Sequence, residues 1–166
     1  MATLEKIEFG KLGPCRFIGK SVYCSPGPNE LLGALWANSE AVFEAIDKLK
    51  EYASNEVHNA ALLTWDRYEK EKLMRYTVGR FMKADTPVPE GLDFIDLSDG
   101  FVAKGWIKGE FNDMIENANS LTEEAAKSHG KYALTWTFMA EIYTNNTIPE
   151  DGVNSTMGYY ISCKEN

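Results

Sequence analysis

The chain has 166 residues, of which 44% are hydrophobic and 25% charged, the composition of one globular domain with a real core and little disorder. Its formal charge is −8, and the acidity is uneven: residues 1–90 carry 12 basic and 13 acidic side chains, residues 91–166 carry 5 and 12. A surface of that sign repels phosphate backbones and anionic lipid heads, so nucleic acid and membrane partners are excluded from the reading, and any field that draws cations belongs to the second half.

In chain order, strand signals rich in aromatic and β-branched residues fall at Ile7–Leu12 and Arg16–Tyr23. The breaker run Ser25-Pro26-Gly27-Pro28 precedes a short apolar turn, Leu31 to Trp36. A helix then follows, with Val42, Ala45, Ile46, Leu49, Tyr52 and Ala53 on one face and Asn38 or Ser39 as its cap. Strands are predicted over Ala60–Tyr68 and Leu73–Lys83. The segment 85–91, with two prolines and a glycine, is the best internal boundary. Beyond it come a strand over Phe101–Ile107 and a helix carrying Phe111, Met114, Ile115 and Ala118 on one face. Ser120-x-x-Glu123 has the form of a capping box that restarts this helix, and His129-Gly130 ends it. Strands at Tyr132–Thr144 and Met157–Cys163 complete the chain.

The order strand, helix, strand, strand thus occurs twice. It predicts an α+β domain, residues 1–166, built of two half-modules at about 1–84 and 92–166, with two main helices against an antiparallel sheet. Leu63-Thr64-Trp65 recurs as Leu134-Thr135-Trp136, but a match of three residues is expected about once by chance in a chain this long. The order of elements carries the argument for duplication.

Several chemistries lack their residues. The only histidines, His58 and His129, stand in no motif with cysteines or carboxylates, so neither a zinc site nor a Ser-His or Cys-His nucleophile is predicted. No glycine-rich phosphate loop occurs, and no cofactor is expected. Cys15, Cys24 and Cys163 have neither metal spacing nor the density of a disulfide scaffold and read as small apolar strand residues. The charged start MATLEKIEFGK is unlike a signal peptide, and no apolar run nears the roughly 20 residues that span a bilayer. The expectation is a cytoplasmic protein.

The chemistry present is acid among aromatics. In the strand over 135–144, alternation puts Thr137, Met139, Glu141 and Tyr143 on one face and Trp136, Phe138, Ala140 and Ile142 on the other. The second set reads as the core face beneath a helix, with Trp136 a core residue. The first is amphipathic, an acid between a thioether and a phenol. A carboxylate among ring faces suits a bulky organic cation, each ring contributing about 0.5–2 kcal/mol once water is excluded. Alternatively, the same Glu141 acts as a general base on water. Trp106, Trp65 and Tyr68 are the other candidate ligand platforms, weighed against plain core or interface roles.

Tyr76-Thr77-Val78-Gly79, Pro89-Glu90-Gly91-Leu92 and Ile95-Asp96-Leu97-Ser98-Asp99-Gly100-Phe101-Val102-Ala103 resemble the middle of the GyrI-like family, which includes effector-binding domains of AraC-type and MerR-type multidrug regulators. Trp136-Thr137-Phe138-Met139-Ala140-Glu141-Ile142-Tyr143 resembles its acid-x-Tyr strand. The resemblance implies a duplicated strand-helix-strand-strand module with a pseudo-twofold groove, and it matches Glu141 to the family's central acid and Tyr143 to the tyrosine beyond it. The Trp-Leu-Pro-like end of the second helix found in many members is absent from Ser120–Gly130. The length leaves no room for a DNA-binding domain, which implies a stand-alone member.

The sequence therefore predicts a small-molecule-binding protein without a metal. Glu141, Tyr143, Trp106, Trp65, Tyr68 and Met139 hold a bulky hydrophobic, cationic or aromatic ligand, in drug sensing or sequestration. The alternatives are a GyrI-like hydrolase with Glu141 as its catalytic residue, and a gyrase-inhibitor-type module whose acidic surface meets a protein partner.

Overall fold

The structure is a computed structural model that describes residues 1–27, 29–145, 147 and 154–166. In chain order its elements are β1 (Thr3–Leu12), β2 (Cys15–Cys24), α1 (Glu30–Ala37), α2 (Ser39–Asp47), a single 3-10 turn (Lys50–Tyr52), β3 (Asn59–Thr64), α3 (Tyr68–Glu71), β4 (Met74–Lys83), β5 (Asp93–Leu97), β6 (Gly100–Gly109), α4 (Phe111–His129), β7 (Tyr132–Tyr143) and β8 (Ser155–Glu165). The class is α+β and the strand pairings are antiparallel. Among the described residues no helix is long and apolar enough to cross a membrane.

The chain divides into two units, Gly13–Asp99 and the combination of Met1–Leu12 with Gly100–Asn166. The predicted halves, 1–84 and 92–166, do not coincide with these units, because each unit takes its outer strand from beyond its own module. β1 pairs with β6 and so joins the C-terminal unit, whereas β5 pairs with β2 and closes the N-terminal one. The strand order is then the same in both: β5-β2-β4-β3 and β1-β6-β8-β7.

In the Gly13–Asp99 unit, Ile18 and Met82 pack against Val42 and Ile46 of α2, with Leu49, Tyr52, Val88 and Leu92 around them. Asn29 caps α1 by accepting the Leu31 N–H at 2.9 Å, so the predicted apolar turn is a full helix. Trp36 of α1 donates its indole N–H to the Tyr76 hydroxyl of β4 at 2.9 Å. The short β5 was hidden in the sequence because its acids, Asp93 and Asp96, stand three apart and break the period of two that marks a strand. Asp96 is held at the edge by a bidentate Arg16 (2.7 and 3.0 Å), whose guanidinium also lies 4.4 Å from the Phe94 ring centre.

In the other unit α4 lies across the β1-β6-β8-β7 sheet. It runs unbroken from Phe111 to His129, without the restart expected at Ser120, whose hydroxyl bonds back to the Asn117 carbonyl at 3.1 Å. Gly130, at φ 79°, closes it in the left-handed conformation. The helix approaches the sheet at Gly105, where a Cβ would stand 2.1 Å from the Thr122 hydroxyl oxygen. Ala103, Ala126 and Cys163 form the centre of this layer, flanked by Ile7, Phe9, Phe101, Tyr132 and Leu134.

Candidate functional site

The strand that carries the predicted acid is irregular. Leu134 pairs with Cys163 and Met139 with Ile161, so five steps along β7 match two along β8 and three residues bulge out. Trp136 sits in this bulge at φ 56°, in the left-handed region. One hydroxyl gathers the loosened backbone: Ser162 Oγ accepts the N–H groups of Thr137 at 2.8 Å and Phe138 at 3.2 Å. It also lies 2.9 Å from the hydroxyls of both Thr135 and Thr137.

After the bulge the pairing is regular, with Met139, Glu141 and Tyr143 opposite Ile161, Tyr159 and Met157. These share a face with Gly105, and so with α4. This reverses the expectation that the helix covers Trp136, Phe138, Ala140 and Ile142. Trp136 is half-buried in the bulge rather than a core residue, and the amphipathic set is the one beneath the helix.

Asn119 of α4 reaches down to that face. Its amide donates to the Tyr159 hydroxyl at 3.0 Å and contacts Met139 Sδ at 3.2 Å. Tyr159 in turn donates to Met139 Sδ at 3.4 Å. Tyr143 donates to Glu141 Oε2 at 2.6 Å, the short length of a charge-assisted bond. Glu141 is half-buried, while Met139 and Tyr159 are each only 7% exposed. Burial pushes the Tyr159 phenol up to about 12; the Asn119 hydrogen bond opposes this and the Glu141 charge adds to it. Glu141, Tyr143 and Met139 are therefore brought together, and Asn119 and Tyr159 join them. Sequence reasoning missed both of these. Asn119 gave one available signal, a polar side chain next to Ala118 on a helix whose apolar face includes that alanine.

Trp106 belongs elsewhere. It is cross-strand from Gly158, whose row includes Ile142, and so points to the face opposite Glu141. Its indole N–H is held by Glu8 Oε2 at 2.9 Å, and its ring lies edge-on to Tyr160 at 6.2 Å. Bonds from Lys6 and Trp106 lower the pKa of Glu8. Trp65 and Tyr68 fall past the end of β3, not within a strand as predicted. They are in the Gly13–Asp99 unit, stacked edge-to-face at 5.6 Å with Tyr68 40% exposed.

All three cysteines are buried and unbridged. Burial raises their thiols, Cys15 and Cys163 to about 11, which keeps them protonated and unreactive. Among the described residues no group of three or more His, Cys, Asp or Glu could hold a metal ion. The site thus offers a partly desolvated carboxylate, two phenols, a thioether and an amide: groups that bind and orient.

No curated protein matches the chain. Solved structures of the same fold include SAV2435 bound to tetraphenylphosphonium, at 10% identity with a TM-score of 0.70, covering 96% of this chain and 94% of that one. The EcmrR–DNA complex aligns at 12% identity and a TM-score of 0.63 over 97% of this chain, which spans 58% of that protein. A hydrolase encoded by lin2189 from Listeria innocua aligns at 8% identity and a TM-score of 0.58, over 96% of this chain and 92% of that one. At these identities the likeness is one of fold. The family model for the GyrI-like small molecule binding domain matches residues 5–159, and the chain belongs to that family.

Proposed function

We propose that this protein binds bulky hydrophobic cations, with Glu141 as the counter-charge and Tyr143, Met139 and Tyr159 beside it. The observation that carries this reading is the half-buried Glu141 carboxylate, oriented by the Tyr143 hydroxyl at 2.6 Å on a face otherwise lined by phenol and thioether groups. A carboxylate partly removed from water repays its desolvation most fully when a cation arrives, and an organic cation loses little hydration in reaching it. The tetraphenylphosphonium held by SAV2435, which shares the fold, gives the reading its first probe.

The second reading, a hydrolase in which Glu141 activates water, draws on the same carboxylate. Oε2 already accepts a hydrogen bond from the Tyr143 hydroxyl, which favours a charge-pairing role over that of a base. Calorimetric titration with tetraphenylphosphonium and with an uncharged analogue of similar shape tests the proposal. Saturable binding of the cation, weakened tenfold or more in Glu141→Gln, is the expected result. Equal affinity for the neutral analogue, or a Glu141→Gln variant that binds as wild type does, would sink it.

A further inference from the structure

Three of the chain's four arginines stand against a carboxylate: Arg16 against Asp96 at 2.7 Å, Arg80 against Asp47, and Arg67 against Glu71 at 3.9 Å. Arg75 of β4 is different. It is half-buried, and among the described residues it has no carboxylate partner. Its Nε donates to Ser21 Oγ at 3.1 Å, while its Nη1 and Nη2 donors meet no acceptor among those residues. A guanidinium keeps its charge and its five N–H donors at any ordinary pH, so drawing one partly out of water without a counter-charge is unfavourable.

The ladder sets Arg75 in a row of polar side chains. Its direct partners are Tyr23 of β2 on one side and Thr64 of β3 on the other, so all three share a face. That face is the one away from α1 and α2, which meet Tyr76 and Met82 of the same strand. In the next row Ser21 pairs with Thr77, their hydroxyl oxygens 2.7 Å apart. Thr64 Oγ1 is buried without a hydrogen-bond partner, an unfavourable state for a hydroxyl. Arg75 is held by a single hydrogen bond, and its long side chain is free to draw an acceptor in over that hydroxyl. A second positive charge is brought to the same place. The Arg67 guanidinium lies 4.0 Å from the Tyr23 ring centre, and that of Arg75 lies 5.7 Å from it. The neighbouring acid is already engaged, since Asp66 accepts the Tyr23 hydroxyl at 2.8 Å.

We propose that the row Thr64, Arg75 and Tyr23 is a binding site for a small oxyanion, a carboxylate or phosphate group, held by the Nη groups of Arg75 with the Thr64 hydroxyl as a further donor and Arg67 as a second charge. Both groups present paired oxygens that match the guanidinium fork. Directly paired side chains leave the ladder about 5 Å apart, so one oxyanion accepts from Arg75 and Thr64 together. Every member of the site belongs to the Gly13–Asp99 unit, whereas Glu141 belongs to the other, and the inference does not rest on the cation-binding reading.

The experiment is calorimetric titration at constant ionic strength with sodium phosphate, sodium benzoate and, as an uncharged control, benzyl alcohol. It is run on wild type, Arg75→Gln, Arg75→Lys, Thr64→Val and Lys48→Gln, and thermal unfolding of each is recorded without added anion. Wild type is expected to bind phosphate or benzoate saturably, and whichever binds identifies the oxyanion. Arg75→Gln should weaken that binding at least tenfold, and Arg75→Lys, which keeps the charge but loses the fork, at least threefold. Thr64→Val should also weaken it at least threefold while unfolding at an equal or higher temperature, because it removes an orphaned hydroxyl. Lys48→Gln, which removes an exposed charge from the same unit, should bind as wild type does. If Arg75→Gln does not fold, Arg75→Lys and Thr64→Val carry the test. Wild type that binds neither anion, or binds benzyl alcohol as tightly as benzoate, overturns the inference. So does an affinity unchanged by the Arg75 substitutions, or lowered as much by Lys48→Gln. A Thr64→Val protein that unfolds at a clearly lower temperature and binds as wild type overturns it too, and makes the hydroxyl a structural one.

Discussion

The Tyr143 hydroxyl donates to Glu141 Oε2 across 2.6 Å, from a position two residues further along the same strand. On an extended strand such neighbours lie on one face with Cα atoms about 7 Å apart, so both side chains must lean towards each other for the bond to form. The carboxylate is thereby fixed in orientation before any ligand arrives. A preorganised counter-charge loses less entropy on binding than one that must be ordered.

Tyr143→Phe keeps the ring and removes only the donor. Because the bond is present before and after the ligand arrives, only the ordering it saves counts, about 0.5–1.5 kcal/mol for one immobilised side chain, so tetraphenylphosphonium affinity should fall by roughly two- to tenfold, short of the loss in Glu141→Gln. Calorimetric titration of both variants beside wild type checks this. Unchanged affinity in Tyr143→Phe would show that the hydroxyl does not orient the acid.

Tyr159 gives the site an alkaline limit. Its phenol is raised from 10.0 to about 12, first by burial and then by the Glu141 charge. Because the folded pKa is the higher one, the contribution is fully present below pH 10 and is lost as pH rises through about 12. Over that window the unfolded chain has released a proton that the folded chain still holds. Two units correspond to about 2–3 kcal/mol. Cys15 and Cys163, raised to about 11, add a decline of the same sign in any variant that keeps them. Urea midpoints measured from neutral pH to pH 12 should therefore fall more steeply for wild type than for Tyr159→Phe. Parallel curves would show that Tyr159 ionises normally in the fold.

The partnership of Met139, Glu141 and Tyr143 was legible in the sequence, because the ladder is regular from Met139 onward and alternation suffices there. Which face the helix covers was not. The deciding feature is the missing side chain at Gly105, which admits Thr122, and a glycine beside Trp106 reads as unremarkable until the helix is in place. The bulge was hidden for a different reason. Its acceptor, Ser162, comes 25 positions after Thr137, and nothing local in Thr135–Phe138 breaks the strand pattern. The duplicated order was visible, yet Leu63-Thr64-Trp65 falls at the end of β3 and Leu134-Thr135-Trp136 near the start of β7. The exchange of β1 and β5 between modules escaped notice because neither strand pairs within its own half.

The N-terminal unit depends on two glycines that face each other. Gly19 of β2 and Gly79 of β4 are direct cross-strand partners, and the strands approach so closely that no Cβ fits. One built on Gly19 would lie 2.0 Å from the Val78 carbonyl oxygen, and one on Gly79 would lie 1.9 Å from that of Ile18. Backbone atoms within a ladder cannot step aside as a flexible side chain would, so either alanine forces the pair apart and strains the packing of Phe17 and Phe81 nearby. Gly19→Ala and Gly79→Ala are each expected to cost about 3 kcal/mol or more, and the double variant less than the sum because both act on one contact. Gly33 provides the opposite case. It is exposed within α1 with nothing inside 4 Å of a built Cβ, so Gly33→Ala should stabilise by about 1 kcal/mol through helix propensity alone. Urea unfolding of the four variants separates these effects. A Gly19→Ala protein with the wild-type midpoint would mean that β2 and β4 can part without loss, and the close approach would then not be a requirement of the fold.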